Sequence, residues 1–599
     1  MYTNRPFFGS RSNAKFVVKI LRPVINNFLL GLLFALTLAA ISKIGFHEQD
    51  SSVLSYIGNQ YYSFLSLAAI LYLARVIVCV GFRSYTIDFI IFLGISLLIF
   101  STITFNIDKN ISWLNNHYFY SLLVFGLFVF EFSRFDVKRA SLVLNPAQLL
   151  MASFGLIIFV GSLLLMLPTA TTQPIKYIDA LFTSTSAVCV TGLTVLDTSK
   201  DFTIFGKSII LLLFQAGGIG IMTFTSFFGY FFKGNSSSFS EKLVLSDFFS
   251  EDNISEIGKT LIKVILFTLV IEAIGSIFIF FSLDTDYFAS IEQRIYFSVF
   301  HSVSAFCNAG FSTLSSGIYD ISTRSSVPLL YSLSFLIILG GIGFPILLNL
   351  YAFLKIKLNA LFSMLFRKQK KAIIPQIINI NTRLVVLTTI FLLGTGTFFF
   401  YLFENNGVLS EMGFSDKIAH AFFGSVTPRT AGFNSVNYAS LSVATIALTI
   451  FLMWVGASPV SAGGGIKTST FAIAVLNTMR IARMKNHIEF HKREIHERSV
   501  DRAFAIIILS ILILGSSSLL LYLIEPQHGA LNILFECVSA FSTVGLSLGI
   551  TPALGSASKV LLICLMFVGR MGVLTLLFAV FRRTRAMVYR FPKENIVIN

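Results

Sequence analysis

The segment SVFHSVSAFCNAGFS, residues 298–312, occurs in four related copies along this chain. Each copy has a Phe ten residues before a Gly, and the Gly is followed by Leu or Phe and then by a small polar residue. Successive glycines lie 118, 122 and 113 residues apart, which indicates repeats of one structural unit. The other three copies are ALFTSTSAVCVTGLT (180–194), HAFFGSVTPRTAGFN (420–434) and ILFECVSAFSTVGLS (533–547).

A second glycine motif follows each copy by about one helix length and a short loop. It reads AGGIGIMTF (216–224), GGIGFPILL (340–348), GGGIKTSTF (463–471) and GRMGVLTLL (569–577). The repeating unit is therefore an apolar span, a short polar segment and a second span. The spacing predicts four such pore repeats, at 146–235, 236–355, 356–482 and 483–599, the last with a cytoplasmic tail.

The composition places the chain in a membrane. Hydrophobic residues make up 55% of the 599 positions and charged residues 12%, with a mean hydropathy of +0.80. Soluble proteins carry about 25% charged residues, and a soluble fold could not cover this much apolar surface. The five cysteines are scattered without a CxxC pair, so neither a zinc site nor a disulfide framework is predicted. With no HExxH motif or paired intramembrane aspartates, we expect a protein that is not an enzyme.

About twelve apolar stretches are long enough to span a bilayer, eight of them within the repeats. The predicted fold is an all-α polytopic membrane protein with four span–pore-loop–span repeats in pseudo-fourfold arrangement. About four extra transmembrane helices are predicted in residues 1–145. The net charge of +16 arises from basic residues in alternate loops, which predicts cytoplasmic N- and C-termini. No basic stretch is interleaved with stacking aromatic residues, so nucleic-acid binding is not expected.

The four polar segments are too short to cross the membrane and are rich in Ser, Thr and Asn. Irregular backbone at membrane depth must be enclosed by protein or line a watered space, so we expect the segments to surround one pore. A short helix ending near each Gly would direct its negative dipole end inward and favour a cation. Extended residues before each Gly would present carbonyls that replace the water shell of an alkali ion. Gly is needed where the backbone adopts dihedrals that a Cβ forbids.

Helix packing and nucleotide binding are two alternative roles for the glycines. Clusters of Gly mark close helix packing in membrane bundles, and for the second motif this role stands beside a role in the pore. The GGIG strings do not match G-x-G-x-x-G and lie in apolar stretches, so a nucleotide-binding loop is not favoured.

These motifs resemble the Trk/Ktr/HKT superfamily of potassium uptake proteins, and specifically its bacterial membrane subunits. The resemblance covers residues 146–599 and rests on SAVCVTGLTVLDT (186–198), FHSVSAFCNAGFS (300–312), TPRTAGFNS (427–435), VSAFSTVGLS (538–547), GGGIKTSTF (463–471), GRMGVLTL (569–576) and YRFPKENIVIN (589–599). It implies potassium as the transported ion, because family members with Gly in all four loops favour potassium, whereas relatives with Ser in the first loop favour sodium. The implied ion-binding residues are Val190, Thr191, Gly192, Asn308, Ala309, Gly310, Thr430, Ala431, Gly432, Thr543, Val544 and Gly545.

The resemblance also implies a gate below these loops. Pro and Gly interrupt the tenth span, and the matching stretch in the family is an intramembrane loop that controls the ion path. Arg570 lies within the last span, where a charge is costly and usually faces a watered cavity; by resemblance it contacts the loop. A simple kink and snorkelling to the inner interface are the structural alternatives. The implied gate residues are Gly456, Pro459, Gly463, Gly464, Gly465, Lys467 and Arg570.

Four further polar residues lie close to the repeats. Glu272, Glu536 and His301 either concentrate cations near the pore or hold the loops by hydrogen bonds, and we favour hydrogen bonding for Glu272 and His301. Arg429 is expected to point away from the axis and to pair with a carboxylate.

The predicted function is potassium uptake across the inner membrane, with no organic cofactor in this chain. A sodium or mixed alkali-cation path in the same fold is the alternative, and both channel-like conduction and ion-coupled symport stay open. The resemblance implies a homodimer and a separate cytosolic nucleotide-binding regulatory ring. The basic stretches 355–383, 480–502 and 582–593 could dock that ring, or they could contact anionic lipid.

Overall fold

The computed structural model describes residues 25–37, 66–74, 146–220, 257–283, 290–367 and 378–580, with a few single positions between them. Most of the predicted N-terminal spans and the C-terminal tail lie outside the described residues. Within the N-terminal region, Ile25–Thr37 forms a short apolar helix. The four repeats are described for most of their length, and they are almost entirely helical.

Each repeat begins with a long apolar helix. Three of these helices contain windows apolar enough to cross a membrane, and only 22% of that window is buried in the fourth repeat. Apolar side chains that face outward suit a lipid environment, because a large exposed apolar surface in water would drive association. The first helices are α1 (Pro146–Leu165), α4 (Ile257–Ser282), α8 (Ile380–Glu404) and α12 (Glu497–Ile524).

Each first helix is followed by a short re-entrant helix that is packed inside the bundle. Small polar residues allow this close packing: Ser184 Oγ donates to the Ile158 carbonyl of α1 at 2.7 Å. The second and third repeats repeat this contact, from Ser302 to Glu272 O at 2.6 Å and from Ser425 to Leu393 O at 3.0 Å. The re-entrant helices are α2 (Tyr177–Val188), α5 (Ile291–Phe306), α9 (Phe414–Val426) and α13 (Ala530–Phe541).

In the first, second and fourth repeats the second helix ends before the apolar sequence does. The apolar stretches 204–228, 329–350 and 559–580 do not form single helices, because the helices stop at Gly220, Gly343 and Gly572, whose φ angles are 83°, 94° and 80°. In the second repeat the chain turns by 105° at this break. The second helices are α3 (Ile204–Ile219), α6 (Val327–Ile342), α10 (Val443–Trp454) and α14 (Ser556–Met571), and the later segments are α7 (Phe344–Arg367), α11 (Thr468–Ala482) and α15 (Val573–Val580).

The second glycine motif has a packing role as well as a helix-breaking one. A Cβ on Gly217, Gly340 or Gly569 would collide with a backbone carbonyl at the end of the re-entrant helix of the same repeat. Small residues at helix interfaces allow such close approach of backbones. The packing role expected for this motif is therefore found at these three glycines, and the helix break at the motif's next glycine is a further role; a role in the pore stays a prediction.

The end of the first helix lies beside the start of the second in each repeat. Thr203 Oγ1 donates to Thr169 O at 2.6 Å, and Ser326 Oγ donates to Ser282 O at 2.7 Å. In the third and fourth repeats a carboxylate at the end of the first helix makes the contact instead. Glu404 accepts a hydrogen bond from the Ser442 N–H at 2.9 Å, and Glu525 accepts one from the Gly555 N–H at 2.8 Å. The polar segments consequently enter and leave the bundle at the same end.

A short antiparallel hairpin connects the third and fourth repeats. Its strands are β1 (Glu489–Phe490) and β2 (Arg493–Glu494), with Glu489 opposite Glu494 and Phe490 opposite Arg493. Four 3-10 helices lie in the described loops, at Gly317–Tyr319, Tyr438–Ser440, Pro526–His528 and Thr551–Ala553.

Candidate functional site

The four predicted loop glycines form a ring in the order of the chain. A Cβ built on Gly192 would lie 2.5 Å from the carbonyl oxygen of Ala309 and 3.1 Å from the Cα of Gly310. The same contact recurs from Gly310 to the third loop and from Gly432 to the fourth. The ring closes where a Cβ on Gly545 would collide with the Thr191 carbonyl oxygen. Each glycine therefore packs against the carbonyl that precedes the glycine of the next loop.

The loop backbones share one unusual conformation. The residue two before each glycine has a positive φ, as does the glycine itself, while the residue between them does not. Positive φ is rare for residues with a Cβ, so its occurrence at four equivalent positions marks one loop conformation used four times. The expectation of uniformly extended residues before each glycine is therefore wrong. The φ values are 57° and 87° for Val190 and Gly192, 59° and 70° for Asn308 and Gly310, 75° and 77° for Thr430 and Gly432, and 51° and 92° for Thr543 and Gly545.

Hydroxyl groups of the re-entrant helices support the loops in two ways. Ser186 Oγ accepts the Gly192 N–H at 3.0 Å, and Ser539 Oγ accepts the Gly545 N–H at 3.1 Å. In the second and third loops the hydroxyl is instead a donor to the carbonyl after the glycine, from Ser304 to Phe311 at 2.9 Å and from Thr427 to Phe433 at 2.6 Å. The four loops thus share one backbone conformation. The first and fourth loops share one kind of hydroxyl support, and the second and third share the other.

Two buried ionisable residues hold the outer side of the loops. Glu536 accepts hydrogen bonds from Ser547 Oγ at 2.5 Å, Thr551 Oγ1 at 2.8 Å and the Leu548 N–H at 3.2 Å. His301 occupies the equivalent position of the second repeat, with Nε2 3.0 Å from Ser312 Oγ and Nδ1 2.9 Å from the Phe297 carbonyl. The carbonyl can only accept, so Nδ1 carries the proton and Nε2 accepts from Ser312. These contacts favour the hydrogen-bonding role for both residues.

The interrupted tenth span places a loop directly against this ring. We call residues 456–467 the gate loop; its ends are joined by a parallel bridge between Val455 and Ile466. The Gly464 N–H donates to Thr543 Oγ1 at 2.8 Å, and a Cβ on Gly463 would collide with Thr430 Oγ1. The gate loop therefore contacts the side chains two residues before the ring glycines of the third and fourth loops.

The rest of the gate loop packs on the second repeat. The Ser458 N–H donates to the Gly341 carbonyl at 3.0 Å. A Cβ on Gly343 of the second repeat would lie 2.6 Å from the Pro459 carbonyl oxygen. Within the gate loop itself, a Cβ on Gly456 would lie 2.5 Å from the Gly464 carbonyl oxygen. The turn of the loop continues at Gly465, whose φ is 68°. The predicted interruption at Pro459 and the glycines is thus a compact loop enclosed by protein.

Both basic residues of the predicted gate contact this loop. The Arg570 guanidinium donates to the carbonyls of Ala462 in the gate loop and of Gly217 in α3. Lys467 Nζ donates to the Gly463 carbonyl at 2.5 Å. The alternative of Arg570 snorkelling to the inner interface is wrong, because its guanidinium joins the loop to the first repeat. Lys467 holds the loop from within.

Two weaker expectations have different outcomes. Arg429 is buried and donates to Thr389 Oγ1 of α8 at 3.3 Å. Among the described residues no carboxylate pairs with Arg429, so the expected ion pair is not found there. Glu272 accepts from Gln215 Nε2 at 2.9 Å, which supports the expected hydrogen-bonding role.

An ion pair between the first and fourth repeats was not predicted from the sequence. Lys559 Nζ of α14 lies 2.6 Å from Asp179 Oδ1 of α2, and both side chains are largely buried. It joins the first repeat to the fourth, the same two repeats between which the glycine ring closes. The two residues are far apart along the chain, and neither lies in a repeated motif, so the sequence carried no signal for their pairing.

Comparisons with known proteins agree with this architecture. Residues 116–585 match the family described as "TrkH: Cation transport protein". Ktr system potassium uptake protein B of Bacillus subtilis is 35% identical over 452 residues, which cover 76% of this chain and 96% of that protein. Potassium/sodium uptake protein NtpJ of Enterococcus hirae is 34% identical over 469 residues, covering 77% and 99% respectively. The chain belongs to the TrkH family of cation transport proteins, so it is a multi-pass membrane transporter and not an enzyme.

A solved structure shares the fold. The crystal structure of the potassium transporter TrkH from Vibrio parahaemolyticus matches with a TM-score of 0.58 at 16% identity, covering 87% of this chain and 97% of that chain. The resemblance seen in the sequence motifs is confirmed, as is the all-α membrane class. The repeat boundaries and the number of N-terminal helices stay predictions.

Proposed function

We propose that this TrkH-family chain carries potassium ions inward across the cell's inner membrane, through the centre of the glycine ring. The observation that carries the proposal is the closed order of the ring, in which each glycine abuts the carbonyl before the next glycine. Ion binding is assigned to the three residues of each loop that end at the glycine: Val190, Thr191, Gly192, Asn308, Ala309, Gly310, Thr430, Ala431, Gly432, Thr543, Val544 and Gly545.

The chemistry is replacement of water by backbone carbonyls. An alkali ion loses its water shell on entering a narrow ring, and carbonyl dipoles from four loops compensate for that loss. The four re-entrant helices end just before the loops, so their negative dipole ends add to the attraction for a cation. The membrane potential supplies about 2.3 kcal/mol per charge for each 100 mV, which drives cations inward.

Passage is controlled by the gate loop and Arg570. The loop lies against Thr430 and Thr543, directly next to the ring, and a positive charge beside the path opposes cation entry. Gly456, Gly463, Gly464 and Gly465 allow the close approach, Pro459 lies in the turn of the loop, and Lys467 and Arg570 hold the loop by donating to its carbonyls. Loss of these hydrogen bonds would free the loop to move out of the path.

A mixed potassium and sodium path is the second candidate. It is favoured by the name of the Enterococcus hirae relative, a potassium/sodium uptake protein. Both functions use the same glycine ring. A potassium-selective ring must hold its carbonyls rigidly at the spacing that suits potassium, the larger ion, whereas a mixed path needs a less rigid ring.

We further propose a homodimer that works with a cytosolic nucleotide-binding regulatory ring, with both termini in the cytoplasm. The Bacillus subtilis relative is named as part of a Ktr system, which supports an assembly of more than one kind of subunit. The basic connection 480–502, which includes the β1–β2 hairpin, offers an exposed docking surface for such a ring.

The decisive experiment combines growth and flux. The chain should restore growth of an uptake-deficient bacterium at low potassium, and purified protein in liposomes should take up rubidium tracer in the presence of competing sodium. Gly192→Ser should lower the rubidium-to-sodium flux ratio, since it adds a side chain at 2.5 Å from the next loop. Unchanged ratios would overturn the assignment of the ring as the selective element.

A further inference from the structure

A polar cluster lies behind the second loop, outside the glycine ring and the gate loop. Its members come from three elements: Glu272 of α4, Gln215 of α3 and Cys307, which caps α5. Gln215 Nε2 donates to Glu272 Oε2 at 2.9 Å, and Cys307 Sγ donates to Gln215 Oε1 at 3.2 Å. Cys307 Sγ is also 3.7 Å from Glu272 Oε1, so the three side chains close a cycle.

The cluster gives the Glu272 carboxyl no cationic partner. Glu272 is 5% exposed, and within the described part of the chain no Lys, Arg or His forms an ion pair with it. Its two neighbours in the cluster, Gln215 and Cys307, are neutral. An isolated carboxylate is costly to bury, and an ionisable residue within a membrane span marks a functional site more often than a structural one.

Three charged or titratable side chains on the neighbouring helices have other partners. On α5, Arg294 donates to the Phe280 and Leu283 carbonyls, and His301 bonds to Phe297 and Ser312. On α3, Lys207 donates to the Ser199 carbonyl, and on α6 the only titratable side chain of the described helix, Tyr331, is exposed. On α4 itself Lys263 is exposed, and on α7 Tyr351, which packs against Phe267 of α4, is exposed as well. Arg570 of α14 donates to the Gly217 carbonyl of α3.

The cluster is connected to the transport path at two points. Cys307 directly precedes Asn308, the first residue of the second loop in the glycine ring. Gln215 lies two residues before Gly217, whose carbonyl accepts a hydrogen bond from Arg570. A change of charge on Glu272 would therefore act both on the ring and on the α3 turn that holds Arg570.

We propose that Glu272 is a proton-binding site inside the membrane, and that its proton sets the pH dependence of cation flux. The inference rests on the proposed transport function. The protonated carboxyl satisfies the cluster with neutral hydrogen bonds. Loss of the proton places an uncompensated negative charge beside the second loop.

The first test reads protonation without transport. Infrared difference spectra of the full-length chain in lipid, taken across about pH 5 to 9, should contain the carbonyl band of a buried protonated carboxylic acid. Glu272→Gln should remove this band, whereas Glu292→Gln, which changes an exposed glutamate at the start of α5, should keep it. A spectrum of Glu272→Gln that matches the unmodified chain would overturn the proposal.

The second test is tracer flux in liposomes over the same pH range. Flux through the unmodified chain should change severalfold with pH, and Glu272→Gln should hold it at the low-pH value throughout, because the amide mimics the protonated acid. Gln215→Leu, which removes a donor to the carboxylate, should move the pH of half-maximal change upward. Identical pH profiles for the unmodified chain and Glu272→Gln would overturn the inference, whereas absence of flux at every pH would instead count against the proposed function.

Discussion

In the glycine ring the four repeats contribute the same three-residue backbone, whereas in the adjoining layer each repeat contributes something different. The ring has positive φ at the same two positions in all four loops. In the adjoining layer the third repeat supplies the gate loop, the fourth supplies Arg570, and the first supplies the Gly217 carbonyl. In the proposed function this difference has a reason: equal ligands around an ion require equal backbones, whereas a barrier that can be moved requires one part to differ from the others.

The largest effect should come from breaking the ring itself. Gly310→Ala adds a Cβ 2.7 Å from the Ala431 carbonyl at a φ of 70°, so the third loop must shift. We expect rubidium flux to fall by about 100-fold, which corresponds to about 2.7 kcal/mol. Sodium should no longer be distinguished from rubidium in the residual tracer flux.

A matched control separates the collision from backbone strain. Gly549 has a φ of 93°, but a Cβ there would meet nothing within 4 Å. Gly549→Ala should carry the same left-handed penalty of about 1–2 kcal/mol without changing selectivity. Equal losses of rubidium flux and selectivity in Gly310→Ala and Gly549→Ala would show that the contact between the second and third loops does not cause the effect.

The next largest effect should come from the layer that breaks the symmetry. Arg570→Ala removes two hydrogen bonds from a charged donor, each worth about 1.5–3 kcal/mol, and should raise rubidium flux about tenfold. Arg294→Ala is the control, because Arg294 also donates to two backbone carbonyls but lies away from the gate loop. If Arg570→Ala folds normally and does not conduct, its role is structural.

A smaller change should loosen the contact between the two layers. Thr543→Val removes the hydroxyl that accepts the Gly464 N–H, and places there the residue type that the first loop already has at Val190. The loss of a hydrogen bond worth about 1 kcal/mol should raise flux about fivefold while selectivity stays the same. Thr543→Ser, which keeps the hydroxyl but loses the methyl group, should behave as the unmodified chain; an equal flux increase in both variants would show that loss of the hydroxyl is not the cause.

The smallest effect should distinguish the two kinds of loop support. Ser539→Ala leaves the buried Gly545 N–H without its acceptor and should lower the rubidium-to-sodium ratio about twofold, for a cost of about 1 kcal/mol. Ser304→Ala removes a donor to a carbonyl outside the three-residue loop and should have less effect. Equal changes in tracer flux ratios would mean that both supports stabilise the ring alike.

Part of the site could be predicted because it is local and repeated. Gly192 and its equivalents stand out by spacing, and the need for positive φ follows from the absence of a Cβ. The left-handed residue two positions earlier could not be predicted, since Val190, Asn308, Thr430 and Thr543 share no side-chain chemistry. The helix breaks at Gly220, Gly343 and Gly572 were hidden by continuous apolar sequence on both sides.

The sequence by itself determined a membrane protein with four related units, each with a glycine at the point of closest approach. Composition and periodicity are properties of the chain and do not depend on how its parts meet. Only the tertiary structure decided that Asp179 pairs with Lys559, that Arg570 joins the gate loop to α3, and that Glu272 shares a cluster with Gln215 and Cys307. Each of these contacts joins residues from different segments, and their partners are chosen by packing in the bundle and not by any local preference of the chain.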